Sequence, residues 1–67
     1  MSSNEIIIER LLEQRDFNLN LLKHLDFEMV MDPTEKEILN IKKLQTSTID
    51  QLKKIEQEIA FLTSKKP

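Results

Sequence analysis

Asp32-Pro33-Thr34-Glu35 is the stretch on which the fold of this 67-residue chain turns. Proline holds φ near the helical value but disfavours helix at the residue before it. Asp32 is therefore expected to leave one helix and cap the next, with Pro33 in its first turn. Glu35 stands three residues after Asp32, the spacing of a capping box, and Glu35 and Glu37 set negative charge at the positive end of a helix dipole. This reading places one helix over about 4–31, a turn at 32–33, a second helix over 33 to about 62 and a frayed tail over 63–67, all in one domain. Each helix would be roughly 40–45 Å long at 1.5 Å per residue.

Working outward, the composition excludes most alternatives to helix. The chain has no glycine, the residue that tight turns, bulges and phosphate-cradling loops use for positive φ, and it is rich in Glu, Lys, Leu and Gln. A chain this short builds a thin core and needs a supplement such as a disulfide, a metal or a second chain. There is no cysteine and His24 is the single imidazole, so no cofactor or metal is expected and association is the supplement left. Ile6 to Ile8 is too short an apolar run for a signal core or a membrane span, and a net charge of −2 makes no global demand for nucleic acid. The expectation is a cytoplasmic protein without a membrane segment. Its Ile, Lys and Asn usage fits a bacterial or phage chain.

Apolar spacing decides how the two helices meet. In helix 2 a heptad frame puts Ile38, Gln45, Leu52 and Ile59 at a, and Ile41, Thr48, Ile55 and Leu62 at d, with Leu44 and Ile49 widening the stripe. In helix 1 it puts Ile8, Arg15, Leu22 and Met29 at a, and Leu11, Asn18 and Leu25 at d, with Leu12 and Leu19 beside them. Reversal at Asp32-Pro33 pairs these positions at residue numbers that sum to 66 or 67, from Met29 with Ile38 to Ile8 with Ile59. The fold class is all-α: an antiparallel two-helix hairpin, coiled-coil-like, that completes a four-helix bundle by dimerising or with a partner.

The middle of that seam is polar. Two readings of Arg15, Asn18, Gln45 and Thr48 stay open: solvated layers in which Arg15 runs past Leu52 into water, or a register device in which Asn18 bonds to Thr48.

A two-helix hairpin has one internal interface, and Ile6, Phe17, Leu21, Phe27, Met31, Leu39 and Phe61 lie off it. At about 25 cal/mol per Å² their burial is worth several kcal/mol. Ile6, Phe17, Leu21, Phe27, Met31 and Phe61 are the candidate partner-binding residues, since aromatic anchors dominate interfaces.

Charge is unevenly divided: residues 1–32 carry seven acids and three bases, residues 33–67 five acids and seven lysines. An acidic arm beside a basic one is expected to pair within the hairpin, although each exposed pair is worth little. Lys36, Lys42, Lys43, Lys53 and Lys54 form a row on helix 2 that could contact nucleic-acid phosphates. A solvated helix face carries such lysines ordinarily, and neither arginine nor aromatic residues accompany the row.

No catalytic residue is assigned. His24 with Glu28 at i+4 makes neither a nucleophile nor a metal triad, and two helices cannot wall off a dry site. In plan, the chain resembles small hairpin proteins that dimerise into four-helix bundles, including the plasmid primer-repressor type that binds paired RNA loops. That likeness is architectural, and no shared motif carries it. The sporulation aspartyl-phosphate phosphatases are hairpins too, but Ser47-Thr48-Ile49-Asp50 lacks their Ser-Gln-Glu-Leu-Asp signature.

The expected function is therefore a non-enzymatic protein–protein interaction module, a small regulator, adaptor or chaperone-like subunit. Its partner is another protein, a second copy, or both, with no small-molecule substrate. A dimeric RNA- or DNA-binding regulator using the lysine row is the alternative.

Overall fold

The computed structural model describes residues 3–64. They form two α-helices, α1 (Ser3–Met29) and α2 (Glu35–Ser64), packed against each other as a hairpin with extents of 52 × 17 × 13 Å. The all-α hairpin anticipated from the heptads is thus the fold. Its boundaries differ from expectation at three places. α1 stops at Met29, α2 starts at Glu35, and α2 continues through Thr63 and Ser64. There the Thr63 hydroxyl donates to the Ile59 carbonyl at 2.8 Å. Residues 65–67 of the expected frayed tail lie outside the described residues.

The turn explains the first two differences. The amides of Val30 and Met31 donate to the carbonyls of Phe27 and Glu28, three residues back, which tightens and closes α1. Asp32 then takes a positive φ of 56°, the left-handed conformation usually given to glycine. Aspartate tolerates that region better than most side-chain-bearing residues. An N-cap residue needs extended backbone, so Asp32 does not cap α2 and the expected box with Glu35 does not form.

The cap is Thr34. Its Oγ1 accepts from the Glu37 amide at 3.2 Å, and Glu37 Oε1 accepts from the Thr34 amide at 2.8 Å, a reciprocal Thr-x-x-Glu capping box. The Thr34 amide first and the nearby Thr34 hydroxyl second hold the Glu37 carboxyl below its ordinary pKa. Pro33 falls one residue before the cap, and both it and Ile38 are half-buried, at the two positions of a hydrophobic staple.

Along the seam every predicted a and d residue is buried or half-buried. Leu11, Leu25, Ile41 and Ile55 are the buried apolar residues, and Thr48 is the buried polar one. Leu19, Leu44 and Ile49, expected to border the seam, are exposed instead, because a pair of helices encloses little beyond its a and d rows.

The polar middle is partly solvated, as the first reading expects: Arg15, Asn18 and Gln45 are half-buried, and Thr48 is buried. Asn18 Nδ2 donates to the Gln14 carbonyl at 2.8 Å and Thr48 Oγ1 to the Leu44 carbonyl at 2.6 Å, so no Asn18–Thr48 bond fixes the register. The carbonyl one turn back is already within reach of short polar side chains and needs no second helix. Arg15 reaches the solvated edge of the seam, where its Nη1 meets the exposed Glu56 Oε1 at 3.3 Å across the hairpin. Gln45 Nε2 donates to Asp26 Oδ1 at 3.2 Å, the second side-chain bond between the helices. The Arg15–Glu56 pair does not follow the expected pairing of an acidic arm with a basic one. The ion pair between the helices takes its base from α1 and its acid from α2, the reverse of the overall charge division.

Candidate docking surface

The heptad positions beside the seam give the hairpin two unlike flanks. One flank, at the e positions, carries both polar ties, Arg15–Glu56 and Gln45–Asp26, with Leu19 and Ile49 between them. The opposite flank carries Ile7, Leu21 and Leu44 at g and Phe17 and Phe61 at c, and among the described residues neither Arg15–Glu56 nor Gln45–Asp26 crosses it. Here the seam lies open as two grooves. One, of about 410 Å³, is lined by Gln14, Phe17 and Asn18 from α1 and Gln51 and Ile55 from α2. The other, of about 390 Å³, lies between Ile7 and the stretch Lys54 to Leu62 near the open end of the hairpin.

The candidate contact residues divide accordingly. Phe17 (69 % exposed) and Phe61 (65 %) stand on the open flank, and Leu21 is there but half-buried against the seam rather than free. Met31 extends the flank into the turn, beside Glu28, Pro33 and Glu37. Ile6 and Phe27, both exposed, share the f position on the outer side of α1 and do not join the others. Leu39 is exposed on the outer side of α2.

Ile7 and Leu44 also stand exposed on this flank, outside the set of candidate contacts that the sequence offers. Both share the g position with Leu21, so spacing alone could have found them. Leu44 was assigned to the seam because it adjoins the polar Gln45, and Ile7 was read only as part of an apolar run. Val30, 76 % exposed at the turn, had no periodic signal because it stands outside both helices.

The lysine row is exposed throughout. Among the described residues Lys36, Lys42, Lys43, Lys53 and Lys54 take part in no hydrogen bond or ion pair. Lys42, Lys43 and Lys54 border a shallow depression on the outer side of α2, with Leu39, Thr46 and Ser47. Lys53 does not reach it. His24 Nε2 lies 3.2 Å from Glu28 Oε1, one turn along α1. Among the described residues no three His, Cys, Asp or Glu side chains gather as a metal site, and no helix is long and apolar enough to cross a membrane.

Comparison with protein-family models, with curated proteins and with solved structures finds no match to this chain.

Proposed function

We propose that this chain is a non-enzymatic protein–protein interaction module that docks through the flank formed by Ile7, Phe17, Leu21, Leu44 and Phe61. One observation carries the reading. Among the described residues the hairpin buries four apolar residues while eleven large apolar side chains stay exposed, and three g and two c positions gather on the flank that neither Arg15–Glu56 nor Gln45–Asp26 crosses. A surface of that kind is a docking face by its chemistry: apolar and aromatic at the centre, with Arg10, Glu28, Lys54 and Glu58 around it. The role is that of a small regulator, adaptor or chaperone-like subunit.

The test exploits the absence of cysteine. Phe17→Cys and, on the outer side of α2, Thr46→Cys are each labelled with a thiol reagent in intact cells and again in urea. Position 17 is expected to be protected in cells and position 46 labelled. Equal labelling of the two in cells overturns the reading.

A second reading rests on the unpaired lysines of α2, which leave a row of free positive charge available to nucleic-acid phosphates. It requires binding to RNA or DNA with a steep salt dependence that Lys43→Glu with Lys54→Glu removes. Binding unchanged by those substitutions counts against it.

A further inference from the structure

The open flank carries its charges in order. Next to the turn are Glu28 and Glu37, which border one depression together with Met31 and Pro33. Toward the open end are Arg10, seven residues before Phe17 and so on the same face of α1, and Lys54, which lines the groove of Ile7 and Phe61. Between these ends lie Phe17, Leu21 and Leu44 with the neutral Gln14 and Gln51. The flank carries two acids next to the turn, two bases and the acid Glu58 toward the open end, and apolar residues in the middle.

We infer that this flank pairs with the same flank of a second copy, the two hairpins lying antiparallel about a twofold axis that passes between Phe17 and Leu21. The inference rests on the flank being a docking surface and names what occupies it. Such an axis, perpendicular to the helices, stacks α1 on α1 and α2 on α2. Phe17 then stands over Leu21 of the second copy, Arg10 over Glu28, and Ile7 over Met31; on α2, Lys54 stands over Glu37. The residue numbers in each α1 pair add to one total, which is what a twofold axis demands of an isologous contact. The midpoint between Glu37 and Lys54 lies level with that axis to within about two residues, or roughly 3 Å.

The opposite choice, hairpins side by side with their turns at the same end, brings Glu28 and Glu37 of both copies together, while Arg10 falls between Lys54 and Glu58 and offsets nothing at the turn. Like charges so placed oppose association, so the charge order selects the antiparallel pair. The size is right as well. A face of 52 × 17 Å offers roughly 900 Å², close to the ~800 Å² per partner of a stable interface. Closing the bundle also covers the two grooves at whose floors Ile55 and Leu62 lie.

The experiment uses the full chain. Sedimentation equilibrium is expected to show a dimer. Arg10→Cys and Glu28→Cys, both at exposed or half-buried polar positions, are then prepared separately, mixed and mildly oxidised. The mixed disulfide between positions 10 and 28 is expected to dominate. Either variant alone should form little disulfide, because like positions lie about 27 Å apart along α1 in this register. Arg10→Glu should weaken dimerisation about five- to tenfold, and adding Glu28→Lys should restore it.

A folded chain that is monomeric at every concentration overturns the inference, and so does a preference for homodisulfides over the mixed one. The two readings fail separately. A monomer in solution whose position 17 is protected in cells removes the second copy and leaves the docking surface standing. Free labelling in both settings removes both.

Discussion

Arg15 and Glu56 are 41 residues apart in the chain, yet Arg15 Nη1 lies 3.3 Å from Glu56 Oε1. Glu56 stands a full turn beyond Leu52, the residue level with Arg15. Side chains on a helix lean toward its N-terminus. In an antiparallel pair those leans converge, so residues offset by one turn meet better than residues at the same level. Gln45 and Asp26 repeat the same offset at the other end of the seam, which gives the two ties one geometry.

The Arg15–Glu56 pair is partly exposed, with 35 % and 56 % of the two side chains accessible. A double-mutant cycle with Arg15→Ala and Glu56→Ala should therefore return a coupling of about 0.5 kcal/mol at low salt, falling toward zero in molar salt. Urea unfolding of the four proteins measures it. A coupling of several kcal/mol would contradict the exposed geometry.

Removal of the cap has a pH signature. Thr34→Ala should cost about 1 kcal/mol at neutral pH. Glu37 has a folded pKa held below its unfolded value by the Thr34 amide and hydroxyl. Its contribution is complete above the unfolded pKa and is lost as pH falls through the depressed folded value. Thermal midpoints followed by circular dichroism from neutral to acid pH should show a shallower acid loss in Glu37→Gln than in the parent chain. Identical slopes would mean that the box contributes nothing.

Asp32 sits at φ 56°, where a β-branched side chain clashes with its own backbone. Asp32→Val should destabilise the hairpin by about 1–2 kcal/mol. Asp32→Gly should change stability by less than about 0.5 kcal/mol, because relief of the left-handed strain offsets the added freedom of the unfolded chain. Denaturant midpoints of the two variants decide it, and equal losses would exclude a left-handed turn residue.

Asn18 spends its amide on the Gln14 carbonyl of its own turn and leaves the opposite helix without a polar partner. Asn18→Leu should raise stability by about 1 kcal/mol through added apolar burial. A lower melting midpoint would show that Asn18 makes a bond between helices in solution.

Leu25 is the most enclosed side chain, at 2 % exposure. Leu25→Ala should cost about 2–5 kcal/mol, a large part of the stability of a domain this small. Far-UV circular dichroism at low concentration should show substantial unfolding. Phe27→Ala, at an exposed site behind α1, should leave both helicity and midpoint nearly unchanged.

The periodic rows were legible in the residues because heptad spacing is local information. Ile8 through Met29 and Ile38 through Leu62 needed only counting to be placed on facing sides. The turn was half legible. Two overlapping signals, Asp32-x-x-Glu35 and Thr34-x-x-Glu37, compete within six residues, and the pull of Asp-Pro favoured the first. The left-handed Asp32 selects the second, and no feature of the sequence announces that conformation in a chain without glycine.

The open apolar flank was legible in Phe17, Leu21 and Phe61 but blurred by Phe27, because an off-seam position can fall on either flank or on the back of a helix. The sequence by itself determined two amphipathic helices, the reversal between them and the rows that meet, since each follows from spacing and from what proline forbids. Only the tertiary structure decided which polar groups bond. Asn18 and Thr48 turn back to their own carbonyls, while Arg15 and Gln45 cross to Glu56 and Asp26. That choice depends on axial offset and on the converging lean of side chains from two helices, which exist only once both helices are in place. Both ties fall on one side, and that leaves the other flank apolar and open.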